Sequence, residues 1–205
     1  MSFIAFLIAA TVLAVTPGPG IAYVVARTVA GGRTEGLASC IGTGIGGMLH
    51  VLAAAVGLSI LVAQSALAFT VVKFVGAAYL VYLGVRMLLR KQPDVADQKV
   101  PAQGARRALL EGIVVEALNV KTALFFLAFL PQFVTPAEPL VPQLVLLGSI
   151  CVALNTLVDV LAVLAAQKLL ASGVARSARA RLMARVSGVT MIGLGVFLAT
   201  AKRQT

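Results

Sequence analysis

Two short clusters interrupt an otherwise apolar chain. The first is "LAVTPGPGIAYVVAR", residues 13–27, which sets two prolines and two glycines inside a greasy run. Pro17 and Pro19 lack amide hydrogens. Each would clash with the preceding turn of a continuous helix, at about 3 kcal/mol or more. They also drive Thr16 and Gly18 away from helical angles. The carbonyls of Leu13 and Val15 then lose their helical donors, while Gly18 and Gly20 let other backbone come close. The second cluster is "EALNVKTALFFLAF", residues 116–129, with Glu116, Asn119 and Lys121 in its first six positions. His50, Asn155 and Asp159 are further polar residues deep in apolar runs.

These residue types suit one kind of chemistry. A half-helix ending near Val15 offers carbonyls to an ammonium. A second half beginning near Gly20 offers amides and a partial positive charge to a carboxylate. Thr16, Pro17, Gly18, Pro19 and Gly20, joined by Asn119, Lys121 and Asn155, would then hold a zwitterion. His50, Glu116 and Asp159 are candidates for carrying protons, since ionisable groups within a bilayer are costly and suggest function by default. Plainer readings compete. The prolines could make a kink that only serves packing. His50 could be a histidine hydrogen-bonded between helices, and Lys121 could form a structural ion pair with Glu116 or Asp159.

The elements that must position these groups follow from composition. The 205 residues are 60% hydrophobic and 12% charged, against about 25% charged in soluble domains. Six stretches are long and apolar enough to cross a bilayer, near 4–26, 37–62, 68–89, 110–131, 143–166 and 183–201. The first run is too long and its "MSF" start too uncharged for a cleaved signal peptide. The polar stretch 91–107 divides the chain. The expected architecture is an all-α integral membrane protein of six transmembrane helices, forming one membrane domain over 1–205. Repeat one would cover 1–90, a cytoplasmic connection 91–108, and repeat two 109–205. Three spans per half force the halves to be inverted. Thr16 then corresponds to Asn119, and paired interruptions in two such halves point to a transporter site.

Charge gives an orientation. Thirteen of the 17 basic residues fall in the first, third and fifth connections. The positive-inside rule puts those connections in the cytoplasm and both termini outside. The net charge of +10 does not point to nucleic acid, because no basic stripe alternates with aromatics and Trp is absent. Faces are legible too. Ala38, Gly42, Gly46, His50 and Ala54 form a small-residue stripe of the kind that marks close helix contact. The same stripes would also serve a homodimer interface. Asn155 and Asp159 are neighbours at i and i+4. Glu116 and Lys121 lie about 140° apart on a regular helix, so both reach one cavity only if the helix is distorted near Val120.

Together the motifs resemble those of the lysine exporter / threonine–homoserine exporter (LysE/RhtB) family of bacterial amino-acid exporters. The matching elements are "TPGP" at 16–19, "GRTEG" at 32–36, "GGMLH" at 46–50, "KFVGAAYLVYLG" at 73–84 and "KTALFFLAFLPQF" at 121–133. The resemblance implies export of an amino acid or close derivative across the inner membrane, driven by the proton gradient, with no prosthetic group and no enzymatic activity. It carries the site onto Thr16, Pro17, Gly18, Pro19, Asn119 and Lys121. One departure stands out: the family has Asn-Pro-Lys in the fourth span and this chain has Val120 in the middle. The proline that would break that helix is therefore missing, which leaves a second break matching the first as an open question, while Asn119 and Lys121 are kept.

Two other classes compete with a secondary transporter. A membrane thiol–disulfide carrier needs two cysteines whose Cα atoms approach within about 7 Å. Cys40 and Cys151 differ in expected depth by ~18 Å. A metal-ion permease needs clustered carboxylates, thiolates or imidazoles, and one histidine with scattered acids makes a poor set.

Overall fold

The computed structural model describes residues 3–64, 66–89, 101–135, 137–169 and 176–200, and among them it is helical without strands. Arg90, Lys91 and Lys99, three of the thirteen basic residues of the odd connections, lie outside these residues, as do Lys202 and Arg203 of the tail, which oppose that orientation. The helices are α1 (Phe3–Val15), α2 (Pro19–Gln64), α3 (Ala66–Leu89), α4 (Ala105–Ala117), α5 (Val120–Leu124), α6 (Leu140–Leu169) and α7 (Arg176–Thr200). A π-helical turn (Phe125–Phe129) and a 3-10 turn (Leu130–Phe133) follow α5.

α1 stops where the prolines begin, and α2 starts at Pro19. Proline is well placed there, since its fixed φ suits a first helical residue whose N–H would be unpaired anyway. α2 is itself interrupted at Gly31 and Gly32, and Gly32 takes φ 69, ψ −163. That left-handed φ is open to glycine and strained for other residues. The expected run 4–26 is thus divided at Thr16–Gly18, and the break at Gly31–Gly32 falls between the runs 4–26 and 37–62, where a connection is expected. Pro19–Gly57 and Leu140–Ala166 are each long and apolar enough to cross a bilayer, and Ala105–Ala117 with Val120–Phe133 forms a third candidate bent by 43°.

Packing follows the small residues. α2 packs on α4 and α6, α3 on α7, and α1 on α6. A Cβ on Gly42 would fall 2.2 Å from the Leu109 carbonyl oxygen, and one on Gly46 would fall 2.7 Å from that of Ile113. The stripe read in the sequence therefore faces α4 at backbone contact. Gly84 and Gly188 make a similar close crossing between α3 and α7. An aromatic core fills the other side of α5 and the turns after it. Phe125 stacks on Phe129 with centroids 4.9 Å apart, and Phe133 meets Phe6 at 5.6 Å. Apolar side chains such as Ile4, Ile8 and Leu146 face outward, as a hydrocarbon surround permits.

The start of α4 is fixed by the turn between the two parts of α2. Glu35 Oε1 accepts hydrogen bonds from the Gln103 and Gly104 amides, each at 2.7 Å. Those bonds satisfy donors just ahead of the helix, which otherwise lack partners. Arg27 lies 3.7 Å from Glu35 Oε2 and donates to the Pro101 carbonyl at 3.3 Å. Tyr23 donates to the Ala108 carbonyl at 2.9 Å. Glu35 of "GRTEG", with Arg27 and Tyr23 from the preceding turns, thus holds the start of α4 beside α2.

Candidate functional site

The first break leaves the acceptors that the prolines cannot serve. α1 closes with the Thr16 amide donating to Val12 and Leu13 carbonyls at 3.1 and 3.3 Å, and the Thr16 hydroxyl turns back to Val12. The chain resumes with the Ala22 amide donating to Gly18 at 3.0 Å. In a continuous helix residue 17 would donate to Leu13, and Pro17 has no hydrogen to give. Lys121 supplies it: its Nζ donates to the Leu13 carbonyl at 3.1 Å and to the Thr16 carbonyl at 2.9 Å. Bonds from a charged donor contribute about 1.5–3 kcal/mol each, and the lysine is 8% exposed. Lys121 thus pairs with main-chain oxygens, not with Glu116 or Asp159 as the structural ion-pair reading had it. Gly18 makes room, because a Cβ there would lie 3.2 Å from both Cε and Nζ of the lysine.

The second break forms without a proline. α4 ends at Ala117, Asn119 adopts φ −75, ψ 99, and α5 starts at Val120. Asn119 Oδ1 accepts from the Lys121 amide at 3.1 Å, so the asparagine caps α5. Asparagine is among the best residues for this role. Val120 therefore does not keep the fourth helix whole; the question that its replacement of proline left open is answered by the Asn119 cap, at which the chain turns. The distortion near Val120 that a shared cavity required is present. The side-chain amide of Asn119 also donates to Glu116 Oε2 at 2.9 Å, and the Thr122 hydroxyl donates to Glu116 Oε1 at 2.6 Å.

Both breaks meet at one cavity between α2, the α4–α5 bend and α6. Gly20, Glu116, Asn119, Lys121, Asn155 and Asp159 line it, with Thr43, Thr122 and Phe126. It measures about 20 Å³ to the centre of a water-sized sphere, because Lys121 and Glu116 reach into it. A Cβ on Gly20 would fall 2.6 Å from Glu116 Oε2, so the carboxylate rests on the first turn of α2. That end of a helix favours negative charge. Asp159 accepts from the Thr43 hydroxyl at 2.9 Å. Asn155 lines the cavity but turns its amide to the Cys151 carbonyl of its own helix at 2.9 Å.

The remaining candidates sit at the margin. Thr16 contributes its carbonyl and not its hydroxyl, and Pro17 and Pro19 act through the donors they lack. His50 is outside the cavity lining; its Nε2 meets the Glu116 carbonyl at 2.8 Å, at the point where α4 gives out. This is the interhelical hydrogen bond that competed with a proton-carrying role. The sequence reading missed Thr43 and Thr122, which hold the two carboxylates. Their signal was available: each lies within one helical turn of a residue already singled out, Gly42 or Lys121. Cys40 and Cys151 are both buried, in separate apolar clusters. Among the described residues no three His, Cys, Asp or Glu gather as a metal site.

Comparison with known proteins now adds to this geometry. The chain is 32% identical over 204 residues to an uncharacterized membrane protein of Vibrio cholerae serotype O1, covering 98% of this chain and 97% of that one. It is 30% identical over 154 residues to the homoserine/homoserine lactone efflux protein of Salmonella typhimurium, covering 75% of each chain. It is also 30% identical over 165 residues to the membrane protein YrhP of Bacillus subtilis, covering 76% of this chain and 79% of that one. No solved structure matches. The model of the LysE type translocator family matches residues 11–202, and the chain belongs to that family.

Proposed function

We propose that this protein exports a small amino acid or close derivative from the cytoplasm across the inner membrane, as a proton-coupled secondary transporter. The observation that carries the reading is the broken first helix, whose freed carbonyls already hold an ammonium, that of Lys121. A primary ammonium on a substrate fits the same acceptors. Membership of a translocator family supports transport over catalysis. The named activity of the Salmonella relatives points to homoserine and its lactone as the first compounds to try.

In this reading the chain is one membrane domain of six spans in two inverted repeats, with the odd connections in the cytoplasm and both termini outside. The two breaks, at Thr16–Gly18 and Leu118–Asn119, stand at corresponding places in the two halves. Thr16, Gly18, Gly20, Asn119, Lys121 and Asn155 bind the substrate, and Pro17 and Pro19 keep the carbonyls free. Asp159 carries the proton: it lines the cavity on a single threonine bond, whereas Glu116 is held by both Asn119 and Thr122.

Counterflow in proteoliposomes tests this. Purified protein should exchange labelled homoserine or threonine against unlabelled amino acid, and an imposed pH gradient should drive net accumulation. The Asp159→Asn variant should keep exchange and lose the response to the gradient. If no amino acid or lactone moves under either condition, the reading fails.

A further inference from the structure

The two charged side chains of the α4–α5 bend reproduce a zwitterion laid across the first break. Lys121 Nζ sits on the Leu13 and Thr16 carbonyls at 3.1 and 2.9 Å. Glu116 Oε2 sits over Gly20 at the start of α2. We propose that Lys121 is a tethered stand-in for the substrate: its ammonium occupies the carbonyl cradle when the carrier is empty, and a primary ammonium from outside displaces it. The inference rests on the transport reading for its physiological meaning, but the cradle itself can be probed without transport.

The physical reason lies in the break. A helix interrupted by Pro17 leaves the Leu13 carbonyl without its regular helical donor, with a 3.3 Å bond from the Thr16 amide that Val12 shares. Away from water such a group must find a partner. A carrier that releases its cargo outside must return empty, and in that state the cargo cannot be the partner. Lys121 serves instead, reaching in from another helix on a flexible stem. Gly18 leaves the stem its space. Among the described residues no carboxylate pairs with its ammonium, which is held by main-chain oxygens, so a second ammonium can replace it on equal chemical terms. The ligand class is therefore primary ammonium compounds. A quaternary ammonium has no N–H to give and is excluded.

Two measurements decide the point. In lipid nanodiscs, methylammonium chloride should raise the melting temperature of Lys121→Met saturably. The wild type should need about tenfold more or higher, because its own lysine competes at a high effective concentration. Tetramethylammonium chloride should shift neither. Absence of a shift in folded K121M, or half-effects at equal concentration in both proteins, would overturn the proposal. Should K121M not fold, acylation of Lys121 in the wild type, followed by mass spectrometry, replaces it. Methylammonium should speed that labelling and tetramethylammonium should not; equal rates overturn the proposal. In proteoliposomes K121M should lose net efflux, which alone needs the empty return, by a larger factor than it loses exchange; equal loss of both counts against it. A wild type that exchanges nothing would sink the transport reading and leave the nanodisc result standing.

Discussion

The two helix breaks reach a similar shape by opposite means. At Thr16–Gly18 the sequence removes donors: Pro17 and Pro19 have no amide hydrogen to give, and the chain between them cannot stay helical. At Leu118–Asn119 it adds a competitor, since the Asn119 side chain takes the Lys121 amide and stands in for the missing turn. The first break therefore ends with acceptors to spare and the second with charged side chains to offer. Lys121 joins them, giving its amide to one break and its ammonium to the other. The difference teaches that a break made by deletion creates a binding surface of main-chain atoms. One made by capping is locally satisfied and can present side chains.

The largest effect should come from parting the two breaks. Gly42→Val puts a side chain where a Cβ alone would be 2.2 Å from the Leu109 carbonyl. Backbone on α4 cannot yield as a side-chain tip can, and overpacking of this kind costs about 1–3 kcal/mol or more. The variant should lose most folded protein on fluorescence-detected size exclusion, with the remainder melting well below the wild type.

Next comes the cap. Asn119→Ala removes the bond to the Lys121 amide and the bond to Glu116. Loss of a cap costs roughly 0.5–2 kcal/mol, and the Glu116 oxygen is left with one partner fewer. Thermal melting in detergent should fall by that amount, with transport falling further because Glu116 and Lys121 both shift. Gly20→Ala should be milder for folding. Its methyl would lie 2.6 Å from Glu116 Oε2, a side-chain end that can shift where backbone cannot, with Thr43 Cγ2 next at 3.9 Å, so the melt should fall less than for Gly42→Val, while transport drops.

Val120→Pro should have the smallest effect, and it sharpens the comparison most. Val120 is the first residue of α5, where proline is favoured. Asn119 already has the extended angles that a following proline requires. Restoring the family's Asn-Pro-Lys should leave melting within about 0.5 kcal/mol, the range of neutral substitutions. A loss as large as that of Asn119→Ala would mean that the second break is not capped as described.

The first break could be read directly, because proline states its own constraint: a missing hydrogen and a fixed φ need no tertiary context. The Gly42–Gly46 stripe was equally plain, since periodicity at four residues marks a face. The second break was legible only in part. Asn119 carries a strong capping propensity, but whether a side chain beats the helical bond is settled by what surrounds it, here Glu116 and Thr122. The ligand of the Leu13 carbonyl was not legible at all. Lys121 is 108 positions away, and no local rule connects them. A connection between 26 and 37 was legible from the apolar runs, while its exact turn at Gly31–Gly32 depends on a left-handed φ that a Gly-Gly pair permits but does not announce.

Pro17→Ala tests the central claim, that deleted donors make the binding surface. The alanine supplies the regular helical donor from position 17 that Leu13 lacks and lets its carbonyl pair fully within the helix, in competition with any ammonium. Exchange of labelled homoserine or threonine in proteoliposomes should fall roughly tenfold or more, the loss expected when a charged hydrogen bond of about 1.5–3 kcal/mol is withdrawn. The protein should remain folded. Exchange by Pro17→Ala at the wild-type rate would contradict the account.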